Sequence, residues 1–229
     1  MPQRANVARL RSSAPVILPS LLLCDFGNLE REVRRLEEAG VEGLHLDVMD
    51  GCFVPNLTYG MPIVQAIRRL TDMPLDVHLM IVDPEQYVGQ FSEAGADVIT
   101  FHVEAVKNPR SLLERIRDLG AGAGLAMSPE TELSRIDGCL DLCDLILAMS
   151  VAPGFGKQKF DEIALDKLRR LKQIVGDDVM LEVDGGVNKT TIERCAEAGA
   201  GYFVVGSAIF GKEDYGPVVR ELTQLAGRR

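Results

Sequence analysis

The sequence predicts an α/β fold in which eight parallel strands alternate with helices. Short apolar runs recur from Val16 onward, and segments with helical periodicity and one charged face separate them. Most of these runs are apolar on both faces, which is typical of parallel strands covered by helices. Eight such units in 229 residues favour a single closed (β/α)8 TIM barrel. The predicted strands are 16–19, 44–49, 75–80, 97–102, 122–127, 145–151, 179–184 and 202–206.

An open doubly wound sheet is the alternative fold, and it has less support. No G-x-G-x-x-G motif follows the first predicted strand, as it would in a dinucleotide-binding sheet. A repeated helix-to-strand joint favours the barrel, because Glu-Ala-Gly closes a predicted helix at 38–40, 93–95 and 197–199. Glycine tolerates positive φ after the last helical turn, so the recurrence indicates one joint that is built several times.

The barrel is predicted to occupy residues 16–229, with a short extension before it. Residues 1–15 carry Arg4, Arg9 and Arg11, contain no acidic residue and lack the apolar region of a signal peptide. We therefore predict a disordered N-terminal extension there.

Composition limits the classes of partner. The chain has 25 Lys and Arg residues against 34 Asp and Glu residues, and its formal net charge of −9 argues against nucleic acid or an anionic membrane. No apolar run approaches membrane-spanning length. The five cysteines are irregularly spaced without a C-x-x-C motif, which predicts reduced thiols in a cytoplasmic protein. The expected partners are a small anionic molecule, held by a local binding device, and further copies of the chain in a homo-oligomer.

Histidines and aspartates lie near the ends of several predicted strands. His45 and Asp47 project from one face of the second strand. Taken alone, this pair fits a core histidine bonded to its neighbour as well as it fits a metal or catalytic site. His78 on the third strand and Asp184 ending the seventh converge with them on the C-terminal mouth of a barrel. Two imidazoles and two carboxylates predict a divalent cation, with zinc, iron, cobalt and manganese all compatible. His102, ending the fourth strand, is expected to have a supporting or structural role.

Three glycine-bearing segments also follow strands. They are residues 153–158 after the sixth strand, Gly185 and Gly186 after the seventh, and Gly206 with Ser207 after the eighth. Each segment alone fits a tight turn. Together they predict a phosphate site, because glycine lets backbone N–H groups approach an anion and phosphate usually binds at this position in barrels.

Three methionines stand near strand ends as well. Methionine at such a place is usually core filler. Met49, Met80 and Met149 could equally cover one side of a bound substrate.

The motifs that contain these residues resemble those of the ribulose-phosphate 3-epimerases, over residues 17–224. Several long motifs occur in the right order, so the resemblance is specific. They are Pro19-Ser20-Leu21, the run from His45 to Asn56, the run from Asp76 to Met80, the run from Met149 to Gly156, the run from Val183 to Val187, and Gly206-Ser207-Ala208.

The resemblance implies a TIM barrel of the ribulose-phosphate-binding type and an enzyme of the pentose phosphate pathway. It would interconvert D-ribulose 5-phosphate and D-xylulose 5-phosphate through an enediolate, with a metal as Lewis acid. His45, Asp47, His78 and Asp184 would bind the metal, and the two aspartates would also be the acid and the base at C3. The residues expected to contact the substrate and its phosphate are Ser20, His78, Gly154, Phe155, Gly156, Lys157, Asp184, Gly185, Gly186, Gly206 and Ser207.

Two positions depart from the family pattern. Lys157 replaces a glycine in the loop after the sixth strand, and Ala152 stands where a polar residue often precedes the proline. These departures leave open the shape of the phosphate loop and the choice between a pentulose phosphate and D-allulose 6-phosphate.

Other activities on the same barrel remain as alternatives. An imine-forming aldolase would require an inward lysine, and the predicted strands contain none. A decarboxylase is another possible enzyme on this barrel. A barrel that only binds metal or phosphate would be expected to lose Asp47 or Asp184, and both are present.

Overall fold

Eight parallel strands form one sheet in this computed structural model, which describes residues 2–227. Each strand agrees with its predicted range to within two residues at either end. The strands are β1 Val16–Pro19, β2 Leu44–Met49, β3 Leu75–Met80, β4 Val98–His102, β5 Gly122–Met127, β6 Leu145–Met149, β7 Met180–Asp184 and β8 Tyr202–Val205.

The sheet closes into a barrel. Its strands pair in the order β1-β8-β7-β6-β5-β4-β3-β2. A parallel bridge between Ser20, directly after β1, and His45 on β2 joins the two remaining edges. The predicted TIM barrel is therefore confirmed, and the carboxyl ends of all eight strands meet at one mouth.

Helices cover the outside of the barrel and connect most of the strands. The connection from β5 to β6 differs, because two 3₁₀ segments, Leu133–Arg135 and Asp137–Leu142, replace an α-helix there. Pro129 and Gly138 interrupt that stretch and disfavour a long helix. The α-helices are α1 Pro2–Ser12, α2 Leu29–Glu38, α3 Met61–Arg68, α4 Pro84–Glu93, α5 Pro109–Asp118, α6 Ile163–Val175, α7 Ile192–Glu197 and α8 Gly216–Ala226. Among the helices of residues 2–227, none is long and apolar enough to cross a membrane.

The repeated Glu-Ala-Gly joint ends helices in the predicted way. After α4, Gly95 has a φ of 105°, and the Ala96 N–H donates to the Phe91 carbonyl at 3.0 Å. A Cβ atom on Gly95 would lie 2.5 Å from Cγ of Arg68. Both the backbone conformation and the close approach therefore require glycine at this joint.

The structure differs from the predicted disorder of residues 1–15 in the part that it describes, where Pro2–Ser12 form α1. Val7 and Leu10, one turn apart on this helix, are buried in an apolar cluster with the first residues of several strands. The hydroxyl of Tyr202, which begins β8, donates to the Leu10 carbonyl at 3.0 Å. Helix α1 thus closes the N-terminal end of the barrel, and burial of this small apolar face outweighs the polar composition of the segment.

The side chains of β2 alternate between the apolar core outside the sheet and the polar interior of the barrel. Leu46 and Val48 pack outward in the main apolar cluster with Val33 and Leu36 of α2. His45, Asp47 and Met49 take the alternate positions and face the barrel interior. The layer between sheet and helices is therefore apolar, and the polar side chains of the strand are collected inside.

Candidate active site

Four predicted residues meet at the C-terminal mouth. His45 and Asp47 face inward from β2, and the register of the sheet places Asp47 beside His78 of β3. Asp184 ends β7. One nitrogen or oxygen atom from each of these four side chains lies within 4.8 Å of the others. The barrel thus brings together two imidazoles and two carboxylates from three strands, β2, β3 and β7.

The spacing of these atoms fits the ligands of a single cation. Asp47 Oδ1 lies 3.2 Å from His45 Nε2 and 3.1 Å from His78 Nδ1. Ligand atoms about 2.1 Å from a tetrahedral ion are about 3.4 Å apart. Two nitrogen donors with carboxylate oxygens suit zinc and its transition-metal neighbours. The donor set therefore fits a divalent metal ion.

Hydrogen bonds orient the groups on the β2 side of the cluster. The Ser20 hydroxyl donates to Asp47 Oδ2 at 2.5 Å, while Oδ1 of the same carboxylate faces the two histidines. His45 Nδ1 lies 2.6 Å from Asp76 Oδ2. Because a carboxylate only accepts, His45 donates its Nδ1 proton to Asp76 and directs the Nε2 lone pair at the cluster.

Asp76 and Glu182 are functional candidates that the sequence analysis did not single out. Glu182 is fully buried, and its Oε1 lies 3.2 Å from His45 Nδ1. Burial and the nearby Asp76 raise the pKa of Glu182 to about 8. The spacing in the sequence could have identified both residues, because Asp76 precedes His78 by two residues and Glu182 precedes Asp184 by two. Each pair therefore shares one face of its strand.

The two aspartates of the cluster have opposite electrostatic environments. Burial favours the protonated form of Asp47, but His45 and His78 outweigh it and hold the pKa of Asp47 well below its usual range. Burial and the charge of Asp47 raise the pKa of Asp184 to about 7. Without a bound cation and near neutral pH, Asp47 is therefore ionised while much of Asp184 carries a proton, so the two carboxyl groups differ as a base and an acid do.

The two histidines also differ in their tendency to take up a proton. Burial lowers the pKa of His78 to about 4, which keeps this imidazole neutral. Burial acts in the same direction on His45, but Asp47 and Asp76 outweigh it and raise its pKa well above the ordinary value. A cation that binds His45 must therefore displace a proton from it.

A cavity lies above the two aspartates, between the C-terminal ends of β2 and β3 and the segments that follow β1, β6, β7 and β8. His45 and His78 lie beneath it and are fully buried, so the structure does not expose the predicted substrate contact at His78 to the cavity. The predicted residues that line the cavity are Ser20, Asp47, Met49, Met80, Met149, Gly154, Phe155, Gly156, Lys157, Asp184, Gly185, Gly186, Gly206 and Ser207.

The glycines after β7 are required by the backbone. Gly185 and Gly186 have φ values of 106° and 61°. A Cβ atom on Gly186 would lie 2.5 Å from the backbone nitrogen of Phe160. This close approach of two loops leaves room only for glycine and keeps main-chain groups at the cavity wall.

Lys157 has an unusual backbone conformation for a residue with a side chain. Its φ is 62°, and it is the only non-glycine residue with positive φ among residues 2–227. The left-handed conformation costs about 1–2 kcal/mol for an L residue. The neighbouring Gln158 holds the loop by donating from Nε2 to the carbonyls of Ala152 and Phe155 at 2.7 and 2.8 Å.

Comparison with known proteins assigns the chain to a family. The model of the ribulose-phosphate 3 epimerase family matches residues 16–210. This chain belongs to the ribulose-phosphate 3-epimerase family. The ribulose-phosphate 3-epimerase of Bacillus subtilis is 42% identical to it, over 90% of this chain and 97% of the relative. The enzyme of the same name from Synechocystis sp. is 47% identical, over 89% of this chain and 91% of the relative.

Family membership confirms the predicted resemblance and the predicted class of enzyme, an epimerase. Solved structures support the barrel independently. KGPDC from Streptococcus mutans aligns with a TM-score of 0.72 over 94% of this chain and 99% of its own length, at 15% identity. At that identity the likeness concerns the fold alone.

Proposed function

We propose that this epimerase interconverts D-ribulose 5-phosphate and D-xylulose 5-phosphate by proton transfer at C3, with Asp47 and Asp184 as the acid and base. One observation carries the proposal. Asp47 and Asp184 come from different strands and line the same cavity, and one oxygen of each carboxylate lies within 4.8 Å of ligand atoms of both His45 and His78. The names of the relatives from Bacillus subtilis and Synechocystis sp. support the choice of substrate.

Epimerisation beside a ketone requires removal of a proton and its return to the opposite face of the carbon. In one direction the Asp47 carboxylate takes the C3 proton, and the electron pair of the C–H bond delocalises to form an enediolate. The carboxylic acid of Asp184 then delivers its own proton to the other face. In the reverse direction the two residues exchange roles, because each step must run through the same groups.

The two oxygens of Asp47 allow it to serve both as ligand and as base. Oδ1 faces His45 and His78, while Oδ2 faces Ser20 at the cavity wall. We assign the ligand role to Oδ1 and the proton transfer to Oδ2, with the Ser20 hydroxyl holding that oxygen in place. Ser20 has a hydroxyl that can also reach substrate, since it lines the cavity.

The predicted ligands His45, Asp47, His78 and Asp184 would hold the divalent cation, which when bound stabilises negative charge that develops on the substrate oxygens. Asp76 keeps His45 in the tautomer that has a free lone pair at Nε2. Removal of this support should therefore weaken the cation site without altering the cavity surface.

The remaining walls suit a sugar phosphate. Met49, Met80 and Met149 are almost completely buried and line the cavity, so they are proposed to exclude water from the reacting carbon. The main-chain groups of Gly185, Gly186 and the segment from Gly206 to Ser207 are proposed to receive the phosphate.

A direct assay decides between the pentulose and the hexulose substrates. The metal-loaded protein is given D-ribulose 5-phosphate and D-allulose 6-phosphate in parallel, and kcat/KM is measured for both. We expect the larger value for D-ribulose 5-phosphate. A larger value for D-allulose 6-phosphate would contradict the proposed substrate, and it would direct attention to the departures at Ala152 and Lys157.

A further inference from the structure

We propose that His102 and Glu104 are positioning residues that fix the tautomer of His78, so that the Nδ1 lone pair points at the cation site. The inference rests on the proposed function only in taking the His45–His78 cluster as a cation site. It assigns a specific task to two residues that are not among those lining the cavity.

A continuous line of polar contacts runs from the cluster into the barrel wall. His78 Nδ1 lies 3.1 Å from Asp47 Oδ1, and His78 Nε2 lies 2.9 Å from His102 Nε2. His102 Nδ1 lies 3.1 Å from Glu104 Oε2. Both imidazoles are fully buried, so each nitrogen must find its partner within the protein.

The direction of these hydrogen bonds follows from the end of the line. The Glu104 carboxylate only accepts, so His102 donates from Nδ1. A neutral His102 then has a lone pair at Nε2 and accepts from His78. At the other end of the line, His78 Nδ1 lies 3.1 Å from Asp47 Oδ1, and without a cation it can donate to that carboxylate. With a cation between these two atoms, the acceptor at His102 Nε2 takes the single proton of His78 on Nε2, which leaves Nδ1 unprotonated as the ligand atom. If the line ran the other way, His78 would carry its proton on Nδ1 and could not act as a ligand there.

Glu104 is itself held by donors on its second oxygen. Oε1 accepts from the Ser128 N–H at 2.8 Å and from the Thr131 hydroxyl. Lys167 of α6 donates to the carbonyls of both Ser128 and Thr131, at 2.7 and 2.6 Å. Burial favours the neutral form of Glu104, but the hydrogen bonds from His102, Thr131 and Ser128 outweigh it and lower its pKa to about 2.

Ring contacts hold His102 in the orientation that this line requires. The His78 and His102 rings stack with centroids 5.0 Å apart and an interplanar angle of 26°. Phe53, from the loop after β2, covers His102 with centroids 4.9 Å apart. A buried histidine enclosed in this way can neither rotate freely nor exchange its partner for water.

The sharpest test is Glu104→Gln, which keeps the shape of the side chain. The Ser128 N–H and the Thr131 hydroxyl are donors, so they would select the amide oxygen of the glutamine. Its NH2 group would then face His102 Nδ1 and force the proton of His102 onto Nε2. This reversal moves the His78 proton to Nδ1. Glu130 is exposed on the same loop, so Glu130→Gln is the matched control for the loss of one negative charge.

Co²⁺ is the probe, titrated into the full-length protein while its visible absorption is recorded. We expect Glu104→Gln to weaken Co²⁺ binding by about tenfold or more, and Glu130→Gln to bind like the original protein. His102→Phe retains a ring of similar size without the acceptor nitrogen, and it should weaken binding to a similar degree. It also provides the test if Glu104→Gln does not fold, with thermal unfolding of each variant as the check.

Imidazole ¹⁵N chemical shifts give a second readout that a purely structural role would not change. With Zn²⁺ bound, His78 of the original protein should carry its proton on Nε2, whereas in Glu104→Gln at the same Zn²⁺ concentration a larger fraction should carry it on Nδ1. Unchanged Co²⁺ affinity in both Glu104→Gln and His102→Phe, or a His78 proton on Nδ1 in the Zn²⁺-bound original protein, would overturn the inference. Co²⁺ binding by a protein that does not epimerise D-ribulose 5-phosphate would instead refute the proposed function and leave this test valid.

Discussion

The two ends of the barrel interior are built from the same alternating strands but have opposite character. At the N-terminal end, inward residues such as Val16 and Val98 form an apolar cluster with Val7 and Leu10 of α1. At the C-terminal mouth, the inward positions are occupied by histidines and carboxylates. The comparison teaches that strand alternation sets only which side chains face inward. The position along the strand separates residues that stabilise the barrel from those that carry its chemistry.

Removal of one carboxylate at the mouth should produce the largest effect. Asp184→Asn and Asp47→Asn should each lower kcat by a factor of about 1000 or more, because one face of the substrate loses its proton donor or acceptor. Steady-state kinetics measures the loss, and metal content must be measured for both variants. The control is Asp178→Asn, which changes an exposed carboxylate at the N-terminal end and should leave kcat unaltered. An Asp184→Asn variant that retains both its metal and normal turnover would contradict the assignment of Asp184 as acid or base.

Truncation at the closed end should have the complementary effect, on stability and not on turnover. Leu10→Ala removes a side chain that is 1% exposed and should reduce the free energy of unfolding by about 2–5 kcal/mol. The candidate active site lies at the opposite end of the barrel, so kcat at a permissive temperature should not change. Denaturant unfolding provides the measurement, with Arg9→Ala on the exposed side of α1 as the control. Equal unfolding curves for Leu10→Ala and Arg9→Ala would show that α1 does not close the barrel in solution.

Cation binding at the mouth should weaken as the pH falls. Asp47 and Asp76 raise the pKa of His45 well above its ordinary value, so protons compete with the cation for His45 Nε2. Below that pKa, each proton displaced reduces the apparent affinity by about tenfold per pH unit. Calorimetric Zn²⁺ titrations at several pH values measure the affinity. Repeating them in buffers of different ionisation enthalpy gives the number of protons released on binding. An affinity that does not change with pH would argue against His45 as a ligand.

The smallest effect is expected at the rim of the cavity. Lys157→Gly should change KM by no more than about tenfold, roughly 1.4 kcal/mol, and leave kcat unchanged. Glycine also relieves the left-handed backbone of Lys157, which offsets its own loss of conformational freedom. Lys159→Gly, a nearby exposed lysine, is the matched control for charge. Loss of turnover at saturating substrate would instead make Lys157 catalytic.

The strands were predictable because eight apolar, β-branched runs are a strong local signal. The four side chains that meet at the mouth were predictable as a group because their motifs resemble one family. Helix α1 was missed because Val7 and Leu10 offer too few apolar residues to stand out from an arginine-rich segment. The role of Asp76 and Glu182 could have been found from their spacing to His78 and Asp184. The contact between His78 and His102 could not, because it depends on the register between neighbouring strands and on side-chain orientation.

The hydrogen that arrives at C3 tests the central claim, that Asp47 and Asp184 act on opposite faces of one carbon. The reaction is run in deuterium oxide, and the first product is analysed by mass spectrometry or NMR. If one residue removes the proton and the other delivers a solvent-equilibrated one, the product should carry deuterium at C3 from the earliest turnovers. Product that retains its original C3 hydrogen would contradict the two-residue mechanism.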